Sequence, residues 1–257
     1  MSREYTNEEM MIVAAARILE DRKTVFVGTG MPMIAALVAQ RLYAPNLVIV
    51  FEAGGIGPQI PRLPISVGDS LTIHRAIMAA SMDYVMSLAQ LGLIDYGFLG
   101  AAQIDMYGNI NTTVIGSWEN PRVRLPGSGG ANDVGSLCWR TIILMRQDKR
   151  RFVEKVDFIT TPGYLTGLGA RERAGLPRDT GPYRVVTQIG VYGFHPESKR
   201  MMLLALYPHT TVRDVVENSS FEIIIPDEIE VLEPPTREEI EVMRELDPAG
   251  IVIPRRR

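Results

Sequence analysis

Glu52 closes an apolar run. Residues 47–51 read Leu-Val-Ile-Val-Phe and are followed by Glu52-Ala53-Gly54-Gly55. Four or five such residues bounded by glycines have the pattern of a strand buried on both faces. Open α/β sheets hold their ligands at the carboxyl ends of parallel strands. A carboxylate at that position is either a paired structural charge, such as one bonded to a helix N-terminus, or a reacting group. A second candidate is Gly127-Ser128-Gly129-Gly130-Ala131-Asn132. Three glycines in four positions let the backbone approach a ligand and aim N–H groups at developing negative charge. The same density also suits a flexible surface loop. Gly28-Thr29-Gly30 shares two glycines with a dinucleotide-binding turn, but Met33 stands where the third would be. That leaves a tight β–α turn as the better reading.

Other reactive side chains are scattered. His74, His195 and His209 share no metal-ligand spacing with one another or with Cys138, the single cysteine, so no metal site is expected. Cys138 has no histidine in its local sequence and reads as a small buried hydrophobe. Lys149-Arg150-Arg151 lies near Asp148, Glu154 and Asp157, and reads as a solvated mixed-charge helix face or a phosphate clamp. Arg255-Arg256-Arg257 reads as a frayed terminus.

Composition narrows the class. The chain has 257 residues, 46% of them hydrophobic, which suffices for a substantial core. A net charge of −3 provides no basic field for nucleic acid or anionic lipid. One cysteine excludes an internal disulfide. No run reaches about 18 apolar residues, so no membrane partner is expected. The polar first residues are unlike a signal peptide, and a cytoplasmic protein is the expectation.

The elements that must position these residues alternate. Thr6 and Glu9 form a capping box, followed by apolar residues at helical spacing. Residues 24–27 read as a strand, 28–30 as a turn, and Pro32 opens a helix to about Arg41. With the strand at 47–51 this is a βαβ unit, hence parallel pairing with a right-handed crossover. Residues 81–91 read as helix, and 96–100, 141–145 and 156–160 as strands. The segments 184–187, 191–194 and 201–207 are close together, with a turn at 195–198, and read as an antiparallel meander. Residues 221–225 read as one more strand. A second capping box, Thr236 and Glu239, starts a last helix that ends before Pro248. No repeat or long linker appears, so residues 1–257 read as a single α/β domain. Its expected fold is an open, mostly parallel sheet with flanking helices and a C-terminal antiparallel meander.

Several motifs occur in a family order. They are Glu52-Ala53-Gly54, the stretch 100–109 (Gly-Ala-Ala-Gln-Ile-Asp-Met-Tyr-Gly-Asn), and the glycine loop 127–132. Thr161-Pro162-Gly163, Gly169-Ala170-Arg171-Glu172-Arg173 and Tyr207-Pro208 follow. In this order, nearly end to end, the chain resembles the β subunits of family I coenzyme A transferases, the glutaconate type in particular. The resemblance implies a CoA-transferase/sugar-isomerase-like fold and makes Glu52 the nucleophile. It implies ping-pong transfer of CoA between an acyl-CoA and a carboxylic acid. The intermediates are a glutamyl anhydride and a glutamyl-CoA thioester, with a dicarboxylic acyl group such as glutaconyl favoured. Gly129 or Gly130, with Gly127 in the same loop, is implied as the oxyanion and CoA-binding element. Gly54, Gly55 and Gln103 are substrate-pocket candidates. Coenzyme A enters as substrate, with no permanently bound cofactor, and a separate α subunit supplies the acyl pocket in an α2β2 or α4β4 hetero-oligomer. Ala53 departs from the hydroxyl residue common beside the nucleophile, which leaves the substrate open. Relatives that hydrolyse CoA thioesters, open rings or decarboxylate are the nearest alternatives, followed by a non-catalytic subunit for binding or regulation.

Overall fold

The computed structural model describes residues 5–253, and they fall into two compact units. The first takes in the chain through Phe98 and again from Pro234, and the second is Leu99–Glu233.

The first unit opens with α1 (Asn7–Ala16), whose predicted capping box is present in both directions. Every residue from Glu9 to Ala16 is buried, so this helix is covered on all sides. Then come β1 (Thr24–Val27), α2 (Met31–Leu42) and β2 (Val48–Phe51). β1 and β2 pair in parallel with Val27 opposite Phe51, which is the βαβ unit read from the sequence. The chain next reverses twice through β3 (Gly55–Ile56) and β4 (Met78–Ala79), both antiparallel additions. Helix α3 (Met82–Gln90) leads to β5 (Tyr96–Leu99), which flanks β1 in parallel. The strand order is β5-β1-β2-β3-β4.

The C-terminal helix, Arg237–Leu246, returns to this unit and packs with α1 and α2. Its capping box answers that of α1. Arg17 at the end of α1 reaches Glu239 at 2.8 Å, and Arg244 reaches Glu9 at 2.9 Å. Each capping glutamate is therefore buried, bonded to its own N-cap amide, and paired with an arginine of the other helix.

The second unit carries two small antiparallel hairpins, β6 (Gln103–Ile104) with β7 (Ile110–Asn111) and β8 (Val114–Gly116) with β9 (Pro121–Arg124). Helix α4 (Ala131–Leu137), β10 (Arg140–Leu144) and α5 (Ala170–Arg173) follow. β11 (Pro182–Val186), β12 (Gly190–Phe194) and β13 (Met201–Leu206) form the predicted antiparallel meander. β11 runs parallel to β10, and after α6 (Val212–Glu217), β14 (Glu230–Val231) runs parallel to β13. The fold is thus α/β with an open sheet, and its antiparallel share is larger than the sequence patterns indicate.

Three local expectations are corrected. Residues 156–160 form no strand, because Asp157 spends its amide and carboxylate on Gln103 and on the Gly116 amide. Residues 221–225 make one isolated bridge, Ile224 to Met202, before Pro226 ends the run. Lys149-Arg150-Arg151 lies in a turn rather than on a helix, with Arg151 paired to Asp148 at 3.1 Å. Arg255-Arg256-Arg257 lies outside the described residues.

Candidate active site

The Phe51 carbonyl accepts from the Gly54 amide at 3.0 Å, so Phe51-Glu52-Ala53-Gly54 is a tight turn with Glu52 and Ala53 at its tip. Glu52 is half-buried and Ala53 is exposed. The base of the turn is locked by backbone. Gly54 has φ +115°, and a Cβ there would lie 1.9 Å from the Ala80 carbonyl oxygen. A Cβ on Gly55 would lie 2.0 Å from the Thr72 carbonyl oxygen. The Ala80 amide also donates to the Gly54 carbonyl at 2.9 Å. This corrects the reading of Gly54 and Gly55 as room for substrate: main chain from residues 72 and 80 fills that room.

Among the described residues the Glu52 carboxylate takes no hydrogen bond and no ion pair. The alternative of a carboxylate tied to a helix N-terminus therefore has no partner to rest on. Because Val27 is opposite Phe51, the Gly28-Thr29-Gly30 turn leaves the sheet at the same edge as Glu52. That turn opens α2 at Gly30, which has φ +85° and gives no side-chain cap.

In the second unit the glycine loop is anchored at one end and open at the other. Thr112 holds Gly127 twice, accepting from its amide at 2.9 Å and donating to its carbonyl at 2.8 Å. The Gly127 N–H is therefore committed and cannot serve an oxyanion. Gly129 follows with φ +49° and nothing within 4 Å of where a Cβ would stand. Gly130 is the N-cap of α4. The amides of Gly129 and Gly130 donate to no acceptor among the described residues, leaving two adjacent donors on an exposed turn.

Gln103 is buried and fully engaged. Its oxygen accepts from Asn111 at 2.7 Å and from the Asp157 amide, and its nitrogen donates to Asp157 at 3.0 Å. It braces the hairpin of β6 and β7 instead of lining a pocket, because no polar atom is left for a ligand. Asp105 is buried two residues on. Burial pushes its carboxyl up to about 6, against hydrogen bonds from Asn109 and the Tyr107 amide. Asn109 passes this support on by accepting from the Gly163 and Leu165 amides. Cys138 is fully buried, and burial pushes its thiol up to about 12, which removes it as a nucleophile near neutral pH. Among the described residues no three His, Cys, Asp or Glu side chains cluster in a metal-holding arrangement.

A family model described as coenzyme A transferase matches residues 8–218. The chain belongs to that family. It is 41% identical to the β subunit of glutaconate CoA-transferase from Acidaminococcus fermentans, over 97% of this chain and 95% of the relative. It is 38% identical to the β subunit of 3-oxoadipate CoA-transferase from Pseudomonas knackmussii, over 95% of this chain and 94% of the relative. The crystal structure of glutaconate coenzyme A-transferase from Acidaminococcus fermentans superposes with a TM-score of 0.92 at 39% identity, covering 97% of this chain and 98% of that one. The chain is the β subunit of a CoA-transferase, and CoA thioesters are its substrates.

One firmly held residue of this CoA-transferase chain carries no chemical signal in the sequence. Arg171 is 2% exposed, and its guanidinium bonds to four main-chain carbonyls and to Thr180. In the sequence it stands in a run of three charges, Arg171-Glu172-Arg173, which looks like a solvated face. The glycine at Gly169, with φ +72°, is the local signal that the chain turns sharply before it.

Proposed function

We propose that Glu52 is the nucleophile of the transferase and that the Gly129 and Gly130 amides stabilise the oxyanion formed at each attack. The observation that carries this reading is an unpartnered carboxylate on a turn whose backbone is held by main-chain contacts on both sides. A carboxylate serving structure alone has partners; one serving as a nucleophile needs a fixed base and a free oxygen.

The chemistry balances without further reagents. A Glu52 oxygen attacks the thioester carbonyl; the C–S bond breaks, and an acyl–glutamyl anhydride and CoA thiolate result. The thiolate attacks the glutamyl carbonyl, the anhydride C–O bond breaks, and the first acid leaves as its carboxylate. The acceptor carboxylate then attacks the glutamyl-CoA thioester, giving a new anhydride and thiolate. Attack of that thiolate on the acyl carbonyl releases the new acyl-CoA and restores Glu52. Each attack places charge on a carbonyl oxygen, which two preorganised N–H donors stabilise most strongly where water is excluded.

Likeness to relatives that act on glutaconate and 3-oxoadipate supports a dicarboxylic or keto-dicarboxylic acyl group, with the CoA thioester as substrate and no resident cofactor. The same likeness supports a partner α subunit, in an α2β2 or α4β4 assembly, and a cytoplasmic setting. The surface beside Glu52 supports a partner as well. Ile73, Ile77, Met78, Met82 and Tyr84 are all exposed on the segment that folds against Gly54, Gly55 and Gly57. Contiguous exposed apolar area of this kind marks an interface.

The decisive experiment uses the reconstituted two-subunit complex. Acyl-CoA and hydroxylamine should modify Glu52, as read by peptide mass spectrometry, and Glu52→Ala should abolish CoA exchange while the complex still assembles. A Glu52→Ala complex that exchanges CoA at the parent rate would overturn the assignment.

A further inference from the structure

Arg171 buries a full charge and meets no carboxylate among the described residues. Its Nη1 donates to the Pro162 and Gly163 carbonyls, both at 2.9 Å. Its Nη2 donates to the Gly135 and Ser136 carbonyls at 3.2 Å and to Thr180 Oγ1 at 2.9 Å. Burying an uncompensated guanidinium is a costly way to fill a core, and a neutral side chain of similar volume would serve stability as well or better. What the planar fork does uniquely is tie two chain segments into one rigid geometry. Those segments are the last turn of α4 and the loop at 162–163.

Two further contacts bind the same pair. At the start of α4, Asn132 donates from its side chain to the Thr160 carbonyl at 3.0 Å. In the middle, Gly135 lies so close to Thr161 that an added Cβ would stand 2.1 Å from its Cγ2. Helix α4 therefore rests on residues 160–163 at its start, middle and end. The glycine turn with the free amides is continuous with its first residue.

We infer that Arg171 is a positioning residue for acyl transfer: it fixes α4 on the 160–163 segment and so holds the Gly129 and Gly130 amides where the oxyanion forms. This rests on the oxyanion reading of those amides given above. A displacement of about an ångström in such donors costs on the order of 10²-fold in rate.

The test uses the assembled two-subunit enzyme, with Arg171→Met, Arg171→Lys, Asn132→Ala and Gly129→Val. Arg171→Met is expected to lower kcat on the order of 10²-fold and to slow hydroxylamine-trapped modification of Glu52 in parallel. KM for the acyl-CoA should stay within about threefold, because an interaction felt mainly in the transition state has been disturbed. Arg171→Lys should recover part of the rate, since an ammonium reaches some of the five acceptors but lacks the fork. Asn132 is exposed, so Asn132→Ala should fold normally and still lower kcat about tenfold. If Arg171→Met fails to assemble, Asn132→Ala decides. A parent kcat in folded Arg171→Met or Asn132→Ala, with Gly129→Val impaired, overturns this inference and leaves the oxyanion reading standing. A parent kcat in Gly129→Val overturns both.

Discussion

Gly54→Ala should disable the enzyme without touching the nucleophile. The new methyl carbon would stand 1.9 Å from the Ala80 carbonyl oxygen, well over an ångström inside ordinary contact, and the obstruction is main chain that cannot rotate away. The residue would also keep φ near +115°, where an L side chain costs about 1–3 kcal/mol. Overpacking of this kind costs roughly another 1–3 kcal/mol. Separating the two strands instead would give up the Ala80-to-Gly54 hydrogen bond, at about 1 kcal/mol. The sum is about 4 kcal/mol, which lowers the melting temperature by roughly 8–16 °C in a chain of this size. The same shift carries the Glu52 turn by about an ångström, enough for roughly a 10²-fold loss of kcat. Gly28→Ala is the control. Nothing lies within 4 Å of its Cβ position and its φ is outside the strained region, so its stability should change by less than about 1 kcal/mol. Denaturation midpoints and kcat of both variants in the two-subunit complex decide the matter. A Gly54→Ala enzyme with parent stability and turnover would refute the argument that backbone contact, not substrate space, requires this glycine.

Three other outcomes are expected. Asp105 is raised in the folded protein from 3.8 to about 6 by burial; the folded state therefore binds its proton more tightly. Its stabilising contribution is full below about pH 4 and is lost as pH rises through 6, by about 3 kcal/mol at most. Denaturation at a series of pH values should show this decline, and Asp105→Asn should remove it. The Cys138 thiol, buried and pushed up to about 12, should resist iodoacetamide at pH 8 in the native protein and react fully after unfolding, as read by mass shift. Removing Arg17 leaves the buried Glu239 carboxylate without its arginine, and because Arg17 is 28% exposed the cost should be about 2 kcal/mol, below that of a fully buried pair. A double-mutant cycle of Arg17→Ala with Glu239→Ala should show coupling above about 1 kcal/mol in denaturant unfolding.

The parts of the fold legible in the sequence are those whose cause is local. The capping boxes at Thr6 and Thr236 and the apolar run before Glu52 each specify their element without help from elsewhere. Apolar content alone did not suffice. Residues 156–160 and 221–225 have strand composition, yet no free ladder lies beside them, so side-chain bonds and a single bridge take the place of pairing. The opposite failure is β3 and β4, two residues each, too short to show a period and defined only by each other and by β2.

The site divides along the same line, and the division bears on how the function is read. Glu52 was visible because a charge directly after a buried strand is anomalous in its own neighbourhood. The reason for Gly54 and Gly55 was not, since it depends on Ala80 and Thr72, far along the chain and close only after folding. Gly127, Gly129 and Gly130 look alike in sequence, yet Thr112 takes the Gly127 amide and leaves the other two free. Arg171 is the extreme case. Its neighbours Glu172 and Arg173 are exposed, and only the convergence of carbonyls from residues 135, 136, 162 and 163 makes it a core residue. Residue type in sequence thus nominates the groups that react, while the groups that hold them still are known by their contacts. A transferase whose nucleophile is a weakly basic carboxylate depends heavily on the second kind, because positioning must supply what nucleophilicity does not.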